Sequence, residues 1–456
     1  MSRTIGRALT LGVYLVSLTL TVFLFPDRAQ GETPAHEHTH ELPNAAYGTA
    51  AHDPAPSQVP DRIILTWKTD PATSQAVTWR TDTTVEEPTV EIAPAEASPR
   101  FNIELQKVAA QTERVTTESG HALYHSANLT GLTPNTIYAY RVGSGEIWSE
   151  WFHFRTATSG PSPFSFVYFG DAQNNLLSLW SRVIRQAYSD APKASFMLHA
   201  GDLINQAERD VEWGEWFDAG DWIHAMVPSV PSPGNHEYGE NAEGKRALSR
   251  LWRPHFTLPE NGLPGLEESV YYLDYQGARI ISLNSMERTK DQIDWLENVL
   301  KDNPNRWTFV TFHYPIFSTK EGRDNKTLRD SWKPLFDKYS VDLVLTGHDH
   351  TYGRGQNLPK GAGKKVGGTV YVVSVSGPKM YKLDPTPWWS RAAENTQLFQ
   401  IISVSGNTLQ YKALTATGDL YDAFDLVKSA DGTNQMIEKA PSTPERRHIN
   451  TIGAKE

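Results

Sequence analysis

The hydrophobic rhythm of the chain changes several times. Residues 8–25 are almost continuously apolar, and residues 32–60 are polar and without period. From Asp61 onward apolar and polar positions alternate in short runs. After Ser159 the runs become wholly apolar and are separated by stretches with helical spacing. Alternation with period two marks strands buried on one face, while continuous apolar runs of four to eight residues mark strands covered on both. RIILTWKT and SQAVTWRT read as two alternating strands separated by the turn residues Asp70, Pro71 and Ser74. LTGLTPNTIYAYRVGSG alternates at Leu132, Pro134, Thr136, Tyr138 and Tyr140, and WFHFRTAT closes the set. Evenly spaced short strands predict a β-sandwich over 61–157.

The breaker-rich joint Ser159-Gly160-Pro161-Ser162-Pro163 separates this region from the next. FSFVYFG, ASFMLHAG, WTFVTFH, VDLVLTG and TVYVVSVSG then read as buried strands, and LLSLWSRVIRQAYSD and KDQIDWLENVLKDN as helices. Strand–helix alternation predicts an α/β layered domain over 163–428. The polar residues 429–456 are expected to form a loose tail. Trp213, Trp216 and Trp222 share one helical face and are expected in the core. Trp388 and Trp389, set among Pro385, Thr386 and Pro387, predict a loop with an exposed aromatic pair at a cleft mouth.

The N-terminus has the order of a targeting segment. Arg3 and Arg7 precede the apolar run Ala8–Phe25, and Ala29 and Gly31 offer small residues for cleavage. A signal peptide over 1–31 is expected, giving a secreted or periplasmic protein without stable membrane insertion. An uncleaved membrane anchor is the alternative. Residues 32–60 read as a disordered linker, including the HEHTH tract with His36, His38 and His40.

Composition narrows the chemistry. A length of 456 residues suits two or three domains, and 39% hydrophobic residues with 14 Trp and 18 Tyr provide an aromatic core. The formal charge of −10, with no basic block, argues against a nucleic-acid partner. Small phosphate esters stay open as substrates, because a metal site inverts charge locally. With no cysteine, any metal must be held by oxygen and imidazole ligands.

Five ligand-bearing clusters end apolar segments: Asp171 with Gln173, Asp202 with Asn205, Asn235 with His236, His313, and His348 with His350. Open α/β sheets present functional residues just beyond the carboxyl ends of their strands. Carboxylate and imidazole together suit Zn, Fe or Mn, and one shared carboxylate bridges two such cations about 3.5–4 Å apart in two-metal hydrolytic sites.

The order D-x-x, GD-x-x, GNHE, a lone His after a strand, then GHxH resembles the calcineurin-like metallophosphoesterases. GHDHTYGR, with Tyr352 and Arg354, and the preceding fibronectin type III-like sandwich resemble the purple acid phosphatase branch. The resemblance implies two facing mixed sheets flanked by helices, and two metal ions drawn from Fe, Mn and Zn. It implies that Asp202 bridges them, with Asp171 and His350 on the first metal and Asn235, His313 and His348 on the second. His236 would be the general acid. Two positions depart from the pattern. Asn205 stands where purple acid phosphatases have Tyr, and Gln173 where the wider family often has a His ligand. Gln173 is expected as a carbonyl ligand, and Asn205 as a ligand or as the side chain that orients His236. Lys320, Arg323 and Tyr352 are candidate substrate contacts. The expected function is a metal-dependent phosphoric-ester hydrolase, a phosphomonoesterase first. A phosphodiesterase, or a catalytically weak cell-surface binding protein on the same fold, is the alternative.

Overall fold

The computed structural model describes residues 55–357, 367–385 and 388–447. The expected signal peptide, its anchor alternative, the HEHTH tract and nearly all of the linker lie outside them. No helix among the described residues is long and apolar enough to cross a membrane.

The first region is a sandwich of two antiparallel sheets. Asp61–Thr66, Ser74–Thr81, Gly120–Thr130 and Gln111–Thr117 form one sheet. Gln106–Ala109, Thr89–Pro94, Ile137–Ser144 and Ile147–Trp148 run across the other, with Phe152–Arg155 also paired to Ile137–Ser144. Alternate side chains of the two sheets, among them Leu65, Val77, Trp79, Val90, Tyr140 and Phe154, interdigitate in its core. Asp70 shapes the first turn by accepting the Ala72 N–H on its side chain at 2.9 Å.

The second region packs two seven-stranded mixed sheets face to face. In the first, β1 (Phe164–Phe169), β2 (Met197–His199) and β3 (Ser229–Pro231) run parallel. Leu398–Ser405 pairs antiparallel with β1 and leads into the strands that complete the sheet. In the second, β4 (Trp307–Thr311), β5 (Leu343–Thr346) and β6 (Val370–Val373) run parallel. Phe166, Tyr168, Phe309, Leu343, Leu345 and Val372 fill the space between the sheets. The helices Gln292–Lys301 and Lys326–Lys338 cover the far face of the second sheet, bringing Leu296, Trp332 and Phe336 onto Val310 and Val344. Burial on both faces explains why these strands read as unbroken apolar runs.

Three expectations change. Residues 430–447 do not form a loose tail: Asn434–Glu438 pairs with Leu420–Lys428 as an edge strand, and Arg391 donates to Thr443 O at 2.7 Å. Their polarity is that of an exposed sheet edge. Trp388 is not an exposed aromatic, because it stacks on Phe317 at 4.4 Å, and Trp389 is buried. Trp213 and Trp216 are in the core, but Trp222 is 41% exposed at the start of a separate short helix.

Candidate metal centre

All five clusters meet at one end of the facing sheets. Asp171 follows β1, Asp202 follows β2, Asn235 follows β3, His313 follows β4, and His348 and His350 follow β5. Parallel strands make this convergence, because they bring all their carboxyl ends to the same edge. Space there is tight. A Cβ on Gly234 would sit 2.2 Å from Asp202 Oδ1, and one on Gly347 would sit 2.5 Å from Asp171 Oδ2. Asp202, His348 and His350 are held at φ of 53°, 73° and 49°. Left-handed backbone at non-glycine residues costs on the order of 1–3 kcal/mol each and persists only where the surroundings enforce it.

Two triads of ligand atoms result, each with its atoms within 4.8 Å of one another: Asp202, His313 and His348, and Asp171, Asp202 and His350. Asp202 belongs to both. His313 Nε2 is 3.0 Å from Asp202 Oδ2 and 3.1 Å from Asn235 Oδ1, which adds Asn235 to the first triad. Gln173 adjoins the second, its amide N–H donating to His350 Nε2 at 2.9 Å and to Asp202 Oδ2 at 3.2 Å.

The imidazoles are aimed by backbone. His313 Nδ1 donates to Ala200 O at 2.8 Å, and His350 Nδ1 to Lys379 O at 3.0 Å. A carbonyl oxygen only accepts, so the hydrogen is on Nδ1 and the Nε2 lone pair faces the cluster, as a ligand requires. Glu237 was not assigned a role from the sequence. Its buried carboxylate accepts the N–H groups of Gly234, Asp202 and Leu203 at 2.6, 2.9 and 2.8 Å, tying the GNHE turn to the Asp202 loop.

The donor set fits two cations. Asp171 Oδ1 and Gln173 Oε1 are buried with no hydrogen-bond partner, an expensive state unless something positive satisfies them. Burial pushes the Asp171 carboxyl up to about 8, with His313 opposing and Asp202 adding. Burial alone would depress His313, but Asp202 and Asp171 outweigh it and raise the imidazole, so a proton held on Nε2 against Asp202 is what a bound cation would displace to free that lone pair. With no cysteine and only carboxylate, imidazole and amide donors, the chemistry is that of Zn, Fe or Mn.

His236 stands beside the triads with Nε2 4.0 Å from Asp202 Oδ2. Its Nδ1 donates to the backbone carbonyl of Asn205 at 2.6 Å. The expectation that the Asn205 side chain orients His236 is therefore corrected: the main chain does it, and any residue type at 205 offers that oxygen. The carbonyl is itself held, because Glu212 accepts the N–H groups of Asn205 and Gln206 at 2.7 and 2.8 Å. Glu212 lies in the first turn of α1 (Asp210–Gly220).

The candidate substrate contacts divide. Tyr352 is fully buried and donates to Asp422 at 2.6 Å, and Arg354 pairs with the same carboxylate at 2.7 Å. Tyr352 therefore clamps the two sheets and does not face a substrate. Arg323 and Lys320 lie near the cleft: Arg323 pairs with Asp349 at 2.6 Å, and the Lys320 ammonium is 4.2 Å from the centre of the Tyr381 ring.

Known proteins share both regions. Residues 60–156 match the model of the purple acid phosphatase N-terminal domain, and residues 164–352 match that of the calcineurin-like phosphoesterases. By these two matched spans the chain is similar to purple acid phosphatases and to the wider calcineurin-like phosphoesterases. A Mycobacterium tuberculosis relative is 29% identical over 327 residues, which cover 63% of this chain and 60% of that protein. The acid phosphatase type 7 of Mus musculus is 29% identical over 341 residues, covering 66% of this chain and 71% of the mouse protein. Among solved structures, the purple acid phosphatase from yellow lupin seeds superposes with a TM-score of 0.70 at 20% identity, covering 82% of this chain and 75% of the plant one. PhoD superposes at 0.64 with 13% identity, covering 86% and 95%. Those two show the same fold, a sheet-rich domain followed by a metallophosphoesterase domain. Family and triads together imply a dinuclear metal centre.

Proposed function

We propose that this phosphoesterase is a phosphomonoesterase of the acid phosphatase type, secreted or periplasmic, acting on small phosphate esters. The observation that carries the reading is the pair of buried triads sharing Asp202, with the His236 imidazole beside them. The similarity to the acid phosphatase type 7 of Mus musculus supports the monoester class. Asp171, His350 and the Gln173 amide would hold one cation, and Asn235, His313 and His348 the other, with Asp202 between them. When bound, the two cations supply Lewis-acid polarisation of the phosphoryl oxygens and lower the pKa of water. The chain's own residues do the rest. The carbonyls of Ala200 and Lys379 keep two imidazoles in the ligating tautomer. The Asn205 carbonyl holds His236 Nδ1–H, so Nε2 is the nitrogen that gives a proton to the leaving ester oxygen. Burial lowers the His236 imidazole and Lys379 adds to it, while Asp202 opposes; an imidazolium there is a readier acid. No tyrosine stands at 205, so the protein is expected to be colourless even with iron bound.

Metal analysis paired with assays on 4-nitrophenyl phosphate and bis(4-nitrophenyl) phosphate tests the proposal. A higher kcat/KM on the monoester supports it. A preference for the diester would replace it with a phosphodiesterase, and metal-loaded protein inert on both would leave a binding protein.

A further inference from the structure

Three cations converge on one aromatic ring beside the metal centre. The Lys320 ammonium lies 4.2 Å from the Tyr381 ring centre, the Lys379 ammonium 5.7 Å, and the Arg323 guanidinium 6.0 Å. His350 also lies against that ring, 4.7 Å away. The cluster thus begins where the triads end. Its parts arrive from two loops, the segment after β4 and the segment after β6, and the Tyr381 N–H donates to His350 O at 3.1 Å to dock the second loop.

The charge there is not balanced by protein. Arg323 pairs with Asp349, which is fully buried and also accepts from Ser318 and Thr319. No carboxylate among the described residues forms an ion pair with Lys320 or Lys379. The Arg323 side chain is only 9% exposed, yet its Nη2 is buried with no hydrogen-bond partner. Burial and then Arg323 depress the Lys320 ammonium, with Lys379 adding and Asp349 opposing. Like charges gathered in a half-buried place, with a donor left unmatched, are costly unless an anion completes them. The cations are also graded in depth. Lys379 feels the Asp202 and Asp171 carboxylates, while Lys320 feels Asp349 and its fellow cations.

We infer that Lys379, Arg323 and Lys320 form an anion subsite adjoining the dinuclear centre, which binds a second phosphate of the substrate while the reacting phosphate is at the metals. This rests on the reading of the site as a phosphoric-ester hydrolase. Preferred substrates then carry two phosphates, as in a nucleoside diphosphate. Arg323 offers the planar fork suited to phosphate, and the two lysines add point charge.

Adenosine diphosphate and adenosine monophosphate, compared as competitors of 4-nitrophenyl phosphate turnover, isolate the second phosphate. Metal content is measured on the same samples. The diphosphate is expected to compete at least about tenfold more tightly, the value of one good charged hydrogen bond. Lys320→Met is expected to erase that advantage while shifting the monophosphate less than about twofold, and Lys320→Arg to restore most of it. Equal competition by the two nucleotides, or equal weakening of both in Lys320→Met at unchanged metal content, overturns the subsite. If Lys320→Met fails to fold, Lys320→Gln, which keeps a polar side chain at this part-exposed position, carries the same comparison. Protein that turns over no phosphate ester sinks the hydrolase reading alone, because the two nucleotides are then titrated calorimetrically.

Discussion

Two clusters of buried charge solve the same problem differently. At the joint between sandwich and catalytic domain, Asp210 is ringed by Arg62 at 2.5 Å, Arg80 at 3.2 Å and the Tyr124 hydroxyl at 3.2 Å. Asp61 completes the Arg80 pair at 2.6 Å. Every carboxylate there has a protein cation. At the end of the sheets, Asp171 and Asp202 face imidazoles and amides, and Asp171 Oδ1 has no hydrogen-bond partner. The carboxylates of the first cluster are matched by the chain itself, and those of the second are left to be matched by something else. The difference separates a structural charge network from a functional one more clearly than burial or perturbed pKa does, since both clusters have those.

The clusters are also connected. Asp210 anchors the start of α1, and Glu212 on the same turn holds the Asn205 loop whose carbonyl aims His236. The sandwich, which supplies Arg62 and Arg80, thereby helps to position the proposed acid.

Substitutions test this contrast. The largest effect is expected from Asp202→Ala, which removes the carboxylate common to both triads. Metal content and nearly all activity should be lost while the unfolding midpoint stays close to that of chelator-treated protein; retained metal and turnover would show that the triads do not share Asp202. Next is His236→Ala, expected to keep its metals and lose about 10²–10⁴-fold. The loss should be larger on alkyl phosphates, whose leaving groups need a proton, than on 4-nitrophenyl phosphate. Equal losses on the two would reduce His236 to a phosphate-positioning group.

Asp210→Ala breaks the other cluster. It leaves Arg62 without a carboxylate and Arg80 with Asp61 alone, and is expected to cost about 3–5 kcal/mol in a urea unfolding titration, with metal bound per folded chain unchanged. Its pH signature has a definite sign. Burial would raise the Asp210 carboxyl, but Arg62 and Arg80 outweigh it and hold it at about 2, below the value of about 3.9 in an unfolded chain. Its contribution is therefore complete above about pH 4 and is lost as the pH falls towards 2. A variant with unchanged acid sensitivity would show that the pair is not a source of stability. The smallest effect is expected from Tyr352→Phe, about 1 kcal/mol from a lost hydrogen bond to Asp422, with KM unchanged; a raised KM would return Tyr352 to the substrate.

What the sequence made legible follows from the range of the interactions. The ligands were readable because each ends a buried parallel strand, so a local apolar run announces it. The sandwich was readable from alternation. Lys379 and Glu237 were not: Lys379 follows no recognisable pattern and gains its place only when the loop after β6 docks on His350. The Arg62–Asp210 pair spans 148 residues of chain, and nothing local marks either partner. Tyr352 misled because its motif position beside His350 suggested the cleft, whereas alternation along the strand Tyr352–Gln356 turns it inward. Asn205 misled because side-chain chemistry was considered where the backbone supplies the oxygen.

Metal stoichiometry tests the dinuclear centre most directly. Protein purified without chelator and reconstituted with Zn, Mn or Fe should bind two ions per chain by elemental analysis, and activity should rise as the second site fills. Asp202→Asn should lose both ions together, because the triads share that carboxylate. Full activity with one ion per chain, or a variant that loses one ion and keeps the other at wild-type affinity, would contradict a centre bridged by Asp202.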